Sequence, residues 1–225
     1  MHARHSVPTV MRRASFIILT VLSLGVAGYA WIAYGFGQLG DRVHPDMRPA
    51  FEANPFAIRT HIFASSLALL LGPFQFSTRL RARNPELHRW MGRAYLGLGV
   101  LVGGGAGLYM SLHAYGGVAG KLGFGSLALA WLYTGARAFN SARNRAFEAH
   151  RRWMIRNFAL SFAAVTLRLY VPSAFALRIP HEAAYPFIAW ACWLPNLALA
   201  EWIARTTRHP LRDRNASSAP QRTPG

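Results

Sequence analysis

Four histidines carry the chemistry this chain offers. His61, His88, His113 and His150 each stand at an end of a long apolar run. The phrase His88-Arg89-Trp90-Met91-Gly92-Arg93 also returns, altered, as His150-Arg151-Arg152-Trp153-Met154-Ile155-Arg156. A neutral imidazole nitrogen is a good axial ligand for haem iron, and two of them from facing helices complete a six-coordinate site in a dry interior. On that chemistry His88 and His150 form one haem b site and His61 and His113 another. Arg168, the one charge well inside an apolar run, would meet a propionate or another anion. A histidine beside an arginine at a helix end can equally hold a lipid phosphate or cap the helix. No HExxH, paired CxxC, Walker A loop or GxSxG elbow occurs, so no residue is marked as catalytic.

Such histidines need elements to position them, and composition says which. The chain has 225 residues, 52% hydrophobic and only 15% charged, too apolar for an ordinary soluble domain. Its formal net charge of +17 would suit nucleic acid if the basic residues formed one patch. They flank the apolar runs instead, which is a membrane-topology pattern and argues against a nucleic-acid partner. The single cysteine, Cys192, excludes an intramolecular disulfide and reads as inert packing.

The runs define an all-α bundle of six transmembrane helices, at 15–37, 56–76, 90–112, 116–139, 153–177 and 184–204. A basic segment, 1–14, precedes them, and a Pro- and Ser-rich tail, 205–225, is expected to be disordered. The first run carries Gly28-Tyr29-Ala30, so cleavage as a signal peptide is the alternative to retention. Segment 38–55 holds Pro45, Pro49 and Pro55, which argue against a helix through it. In the third run Gly99, Gly103 and Gly107 form a small-residue row that lets helix backbones approach closely. Pro186 and Pro195 should bend the sixth.

Every Lys and Arg except Arg42, Arg48, Arg59, Lys121, Arg168 and Arg178 falls in segments that alternate to one side of six spans. The positive-inside rule then sets both termini in the cytoplasm. On this topology His88 and His150 lie at the inner ends of helices, and His61 and His113 at outer ends. At about 100° per residue, His88 and His113 come within about 20° of one face if their helix is continuous. The second helix aligns His61, Ser65, Ala68, Gly72 and Gln75, and the fifth aligns His150, Asn157, Ser161, Ala164 and Arg168. Polar stripes of this kind should face the bundle interior, since lipid gives them no partner. His44 and His181, in loops, and His2, His5 and His209, in tails, read as solvated.

In plan this resembles the six-helix, ascorbate-reducible b-type cytochromes, which hold a haem near each membrane face. A more specific resemblance rests on His61 leading to Gly72-Pro73-Phe74-Gln75-Phe76, on Leu87-His88-Arg89 with Gly92-Arg93 and Tyr95, and on His150 to Arg156 with Leu167-Arg168-Leu169. In these motifs the chain resembles the bacterial membrane proteins grouped as domain of unknown function 2306. That resemblance implies a multi-pass protein of the bacterial inner membrane and assigns no activity. Two functions of different class stay open. One is electron transfer through bis-histidine haem b with a redox partner. The other is a haem-free protein that transports a small solute or acts on lipid or membrane assembly, its polar stripes lining a cavity.

Overall fold

The computed structural model describes residues 9–36, 41 and 43–206. The basic N-terminal residues 1–8 and the tail from 207 onward lie outside the described residues, as does much of the loop at 37–42. The first run is one uninterrupted helix, α1 (Thr9–Gly35). After it a 3-10 turn, Pro45–Met47, leads into α2 (Arg48–Ala53) and α3 (Pro55–Gln75). Segment 38–55 is therefore partly helical, against expectation. Its prolines sit in the first turns of these short elements, where a missing N–H loses no hydrogen bond, so they start helices and only prevent one from running through.

Two short helices then form the basic connection. In α4 (Thr78–Arg83) the Ser77 hydroxyl accepts from the Leu80 amide at 3.1 Å, and in α5 (Pro85–Ala94) Asn84 Oδ1 accepts from the Leu87 amide at 3.1 Å. Asn84 as cap with Pro85 behind it starts the third span earlier than position 90, which puts His88 inside a helix. That span is not a continuous α-helix. A π-helical segment, Tyr95–Val102, separates α5 from α6 (Gly103–Ser111), and His113 lies beyond the end of α6. Wider π turns take more residues each, so the phase that aligned His88 with His113 does not carry across.

The fourth run is α7 (Gly117–Arg143), a single helix of 27 residues. The fifth is α8 (Phe147–Ser161) and α9 (Ala163–Ala176), interrupted at Phe162. The sixth is α10 (His181–Ala191) and α11 (Leu194–Thr206). Its break comes where the Pro195 ring removes the amide that would bond Ala191, as the sequence leads one to expect.

Among the described residues no strand occurs, and five stretches are long and apolar enough to cross a membrane: Arg13–Gly35, Pro55–Gln75, Pro85–Ser111, Phe147–Ala176 and His181–Thr206. Helix α7 matches them in length but is less apolar. Ile17, Ile18, Val21, Leu98, Leu101, Leu122 and Leu199 are all more than half exposed. An apolar surface this broad is untenable in water and is what lipid requires.

Helix α3 lies at the centre, packed on α1, α5, the π segment, α6 and α8, while α7 packs on α6, α8 and α10. The glycine row does what its spacing predicts. A Cβ on Gly99 would come 2.8 Å from Ala68 Cβ, one on Gly103 would come 3.0 Å from the Ser65 amide nitrogen, and one on Gly107 would come 2.7 Å from His61 Nδ1. The third span thus lies on α3 backbone to backbone.

Candidate functional site

The two ends of this bundle differ. One carries Arg79, Arg81, Arg83, Arg89, Arg143, Arg151, Arg152 and Arg205 and is called here the basic end. On the basic side of the bundle's middle, polar side chains close on one another. Tyr95 and Asn157 are fully buried; the Tyr95 hydroxyl donates to Asn157 Oδ1 at 2.8 Å and lies 2.9 Å from the Ser161 hydroxyl. Asn157 Nδ2 donates to the Trp131 carbonyl at 2.8 Å and to the Thr134 hydroxyl at 2.9 Å, and Trp131 Nε1 donates to Ser161 at 2.9 Å. This network ties the third span, α7 and α8 together, with every member satisfied.

Above the network the helices separate around a cavity of about 1990 Å³. Small-molecule pockets run to roughly 300–1,000 Å³, so this one has room for a ligand of lipid dimensions. Trp131 and Ser161 form part of its floor, its walls are mainly apolar side chains of α1, α3, α6, α7, α9 and α10, and it includes the loops of the end opposite the basic one.

Three of the five sequence-predicted site residues line this cavity: His61, His113 and Arg168; His88 and His150 do not. His61 Nδ1 lies 2.9 Å from the Gly103 carbonyl. A carbonyl only accepts, so Nδ1 carries the hydrogen and a neutral ring presents an Nε2 lone pair. The contact depends on Gly107, whose missing side chain leaves the ring its space. His113 is exposed and tilted against Tyr109, ring centres 5.1 Å apart. Arg168 lines the cavity from α9, with Nη1 donating to the Ala164 carbonyl at 3.0 Å and the guanidinium 5.8 Å from the Tyr29 ring centre.

At the basic end, His150 Nδ1 donates to the Ala138 carbonyl at 2.9 Å, whereas His88 Nδ1 is buried without a partner. The two imidazoles are near enough to feel each other's charge, yet α5 and α8 do not pack along one another. Among the described residues no group of three or more His, Cys, Asp or Glu is placed to hold a metal ion.

Sequence reasoning missed the residues of the cavity mouth. His44 and His181 are not merely solvated: their rings stack with centres 4.1 Å apart and planes 12° from parallel. Tyr115 stacks on His181 at 5.2 Å, and Tyr185 lies 4.9 Å from the same ring. His44 Nδ1 is 3.5 Å from Asp46 Oδ2. Partial burial, then hydrogen bonding to Asp46 and the charges of Asp46 and Glu182, raise the Tyr115 hydroxyl above its ordinary pKa. The cluster joins the loop before α2, the α6–α7 turn and the start of α10. Its turn depends on Gly116, at φ 92° and close against Pro186, where a side chain would be strained and crowded. No sequence spacing signals a group drawn from three loops.

An all-α membrane protein with a deep cavity between its helices is the class this fold and site define. Residues 58–204 match the family of predicted membrane proteins described as DUF2306, and the chain belongs to that family. It matches no curated protein and no solved structure.

Proposed function

We propose that this chain is a six-span protein of the bacterial inner membrane, both termini cytoplasmic, that takes a small amphipathic molecule into its cavity from the periplasmic side. The observation that carries the reading is the cavity itself, mainly apolar within, floored by a satisfied polar network and rimmed by polar and charged side chains. Such a shape supports binding or transport of a small molecule. The distribution of basic residues supports the orientation, and α7 supplies the sixth span.

Cysteine accessibility tests this. In a Cys192→Ala background, Ser65→Cys reacts with a membrane-impermeant maleimide added from the side opposite the basic end, and dodecanol protects it. A Ser65→Cys protein that does not react, or whose labelling ignores the amphiphile, overturns the reading. Reporter fusions at Glu52, Tyr115 and Glu182 read periplasmic, and those at Asn84 and Asn144 cytoplasmic; a periplasmic signal at Asn144 defeats the orientation.

The alternative is haem b on the inner pair, for which one member, His150, gives Nδ1–H to a backbone carbonyl as ligating imidazoles do, while His88 Nδ1 lacks such a partner. An absorption spectrum of the purified protein before and after dithionite decides it. A b-type spectrum lost in both His88→Ala and His150→Ala establishes the pair; a colourless protein ends it.

A further inference from the structure

Resting on the cavity reading, we propose that Arg168 is the head-group site of the cavity, holding the single carboxylate or phosphate of an amphiphile whose chain lies among the apolar walls.

Arg168 is eight residues from the end of α9 at Ala176, so it lies roughly 12 Å below that end at 1.5 Å per residue. A guanidinium costs about 2.5–3.5 kcal/mol to insert at a helix centre on translocon scales, and less toward an end, unless it snorkels out or finds a partner. Among the described residues Arg168 has its own helix carbonyl and the Tyr29 ring beside it but no carboxylate partner. Its side chain lines the cavity, and its neighbours are Tyr29 beneath the guanidinium, Tyr34 and Tyr185 near it, and His61 across from it. Among the described residues the ion pairs go elsewhere: Glu201 holds Arg156 at 2.6 Å and Arg205 at 2.7 Å, and Asp46 faces His44 at the mouth.

A guanidinium has five N–H donors, and one of Arg168's is committed, at 3.0 Å to its own helix. The rest can meet the two or three oxygens of a carboxylate or phosphate, a planar fork to which Arg is suited and Lys is not. Tyr185 lines the same cavity beside it, a residue type whose hydroxyl can donate to an anion's remaining lone pairs. Further down the walls turn apolar, with Leu69, Leu127, Leu160 and Ile188, which fits a hydrocarbon chain and not a second charge. Charge and shape together define an amphiphile with one anionic head.

The test uses the full chain in nanodiscs of neutral lipid with four twelve-carbon probes: dodecanoate, dodecyl phosphate, dodecanol and dodecyltrimethylammonium. On the unaltered protein both anions bind at least tenfold more tightly than dodecanol, and the cation least. Arg168→Gln, which keeps length and hydrogen bonding but not the charge, lowers anion affinity at least tenfold and leaves dodecanol within twofold. Tighter binding of dodecyl phosphate than of dodecanoate identifies a phosphate head; the reverse identifies a carboxylate. If no probe binds, the cavity reading itself fails. If all four bind the unaltered protein alike, or if Arg168→Gln binds both anions as well as the unaltered protein does, the cavity stands and the Arg168 site is wrong. The probe series on the unaltered protein decides the matter even if the variant does not insert.

Discussion

The closed and the open halves of this bundle both carry polar side chains inside and put them to opposite use. Toward the basic end, Tyr95, Asn157, Ser161, Trp131 and Thr134 answer one another, bond for bond. Toward the other end, Tyr185, His61 and Arg168 line open volume. In a membrane, a polar group inside a bundle either locks helices together or awaits something from outside. The sequence pattern of a polar stripe is the same for both, and α8 with α9 carry the two along one face: Asn157 and Ser161 in the lock, Arg168 in the opening.

Three substitutions separate these roles. The largest effect belongs to Asn157→Leu, which removes three hydrogen bonds of the closed half and leaves the Tyr95 hydroxyl only Ser161 as partner. It lowers stability by about 2–3 kcal/mol, read as an earlier unfolding midpoint in a denaturing-detergent titration. An unchanged midpoint means that the network is not what fastens this half. Gly99→Ala comes next. Its new Cβ would approach Ala68 within 2.8 Å, with backbone behind it, and the overpacking costs about 1–2 kcal/mol in the same titration. A neutral result there would show that the third span and α3 are free to part. Smallest is Tyr115→Phe at the mouth, within about 0.5 kcal/mol of the unaltered protein. A loss as large as that of Asn157→Leu would make the mouth cluster structural and erase the contrast between the halves.

Much of the closed half was legible in the sequence. Apolar runs marked the helices, four-residue glycine spacing marked the seam with α3, and the stripe through Asn157 and Ser161 marked what faces inward. These are all local or periodic signals. Helices start at Pro85 and Phe147, ahead of the apolar runs at 90 and 153, because amphipathic first turns at a membrane boundary lack the apolar signal that defines the core of a span. The π segment was invisible, since the run Tyr95–Val102 is apolar on every side and gives no phase to read. Arg168 was legible as an isolated charge. The mouth was not, because His44 and His181 meet across loops that are distant in sequence and whose approach depends on the positions of three helices.

The π segment also bears on thickness. The stretch Pro85–Ser111 has 27 residues, which as an unbroken α-helix would extend about 40 Å against a hydrocarbon core of about 30 Å. Wider turns advance less per residue, so Tyr95–Val102 shortens the rod without removing any side chain from it. Helix α5 can then keep its arginines and Trp90 at one boundary while α6 delivers Ser111 near the other, and less tilt is needed to hide the excess. The third span is in this sense fitted to its bilayer by the pitch of its own backbone.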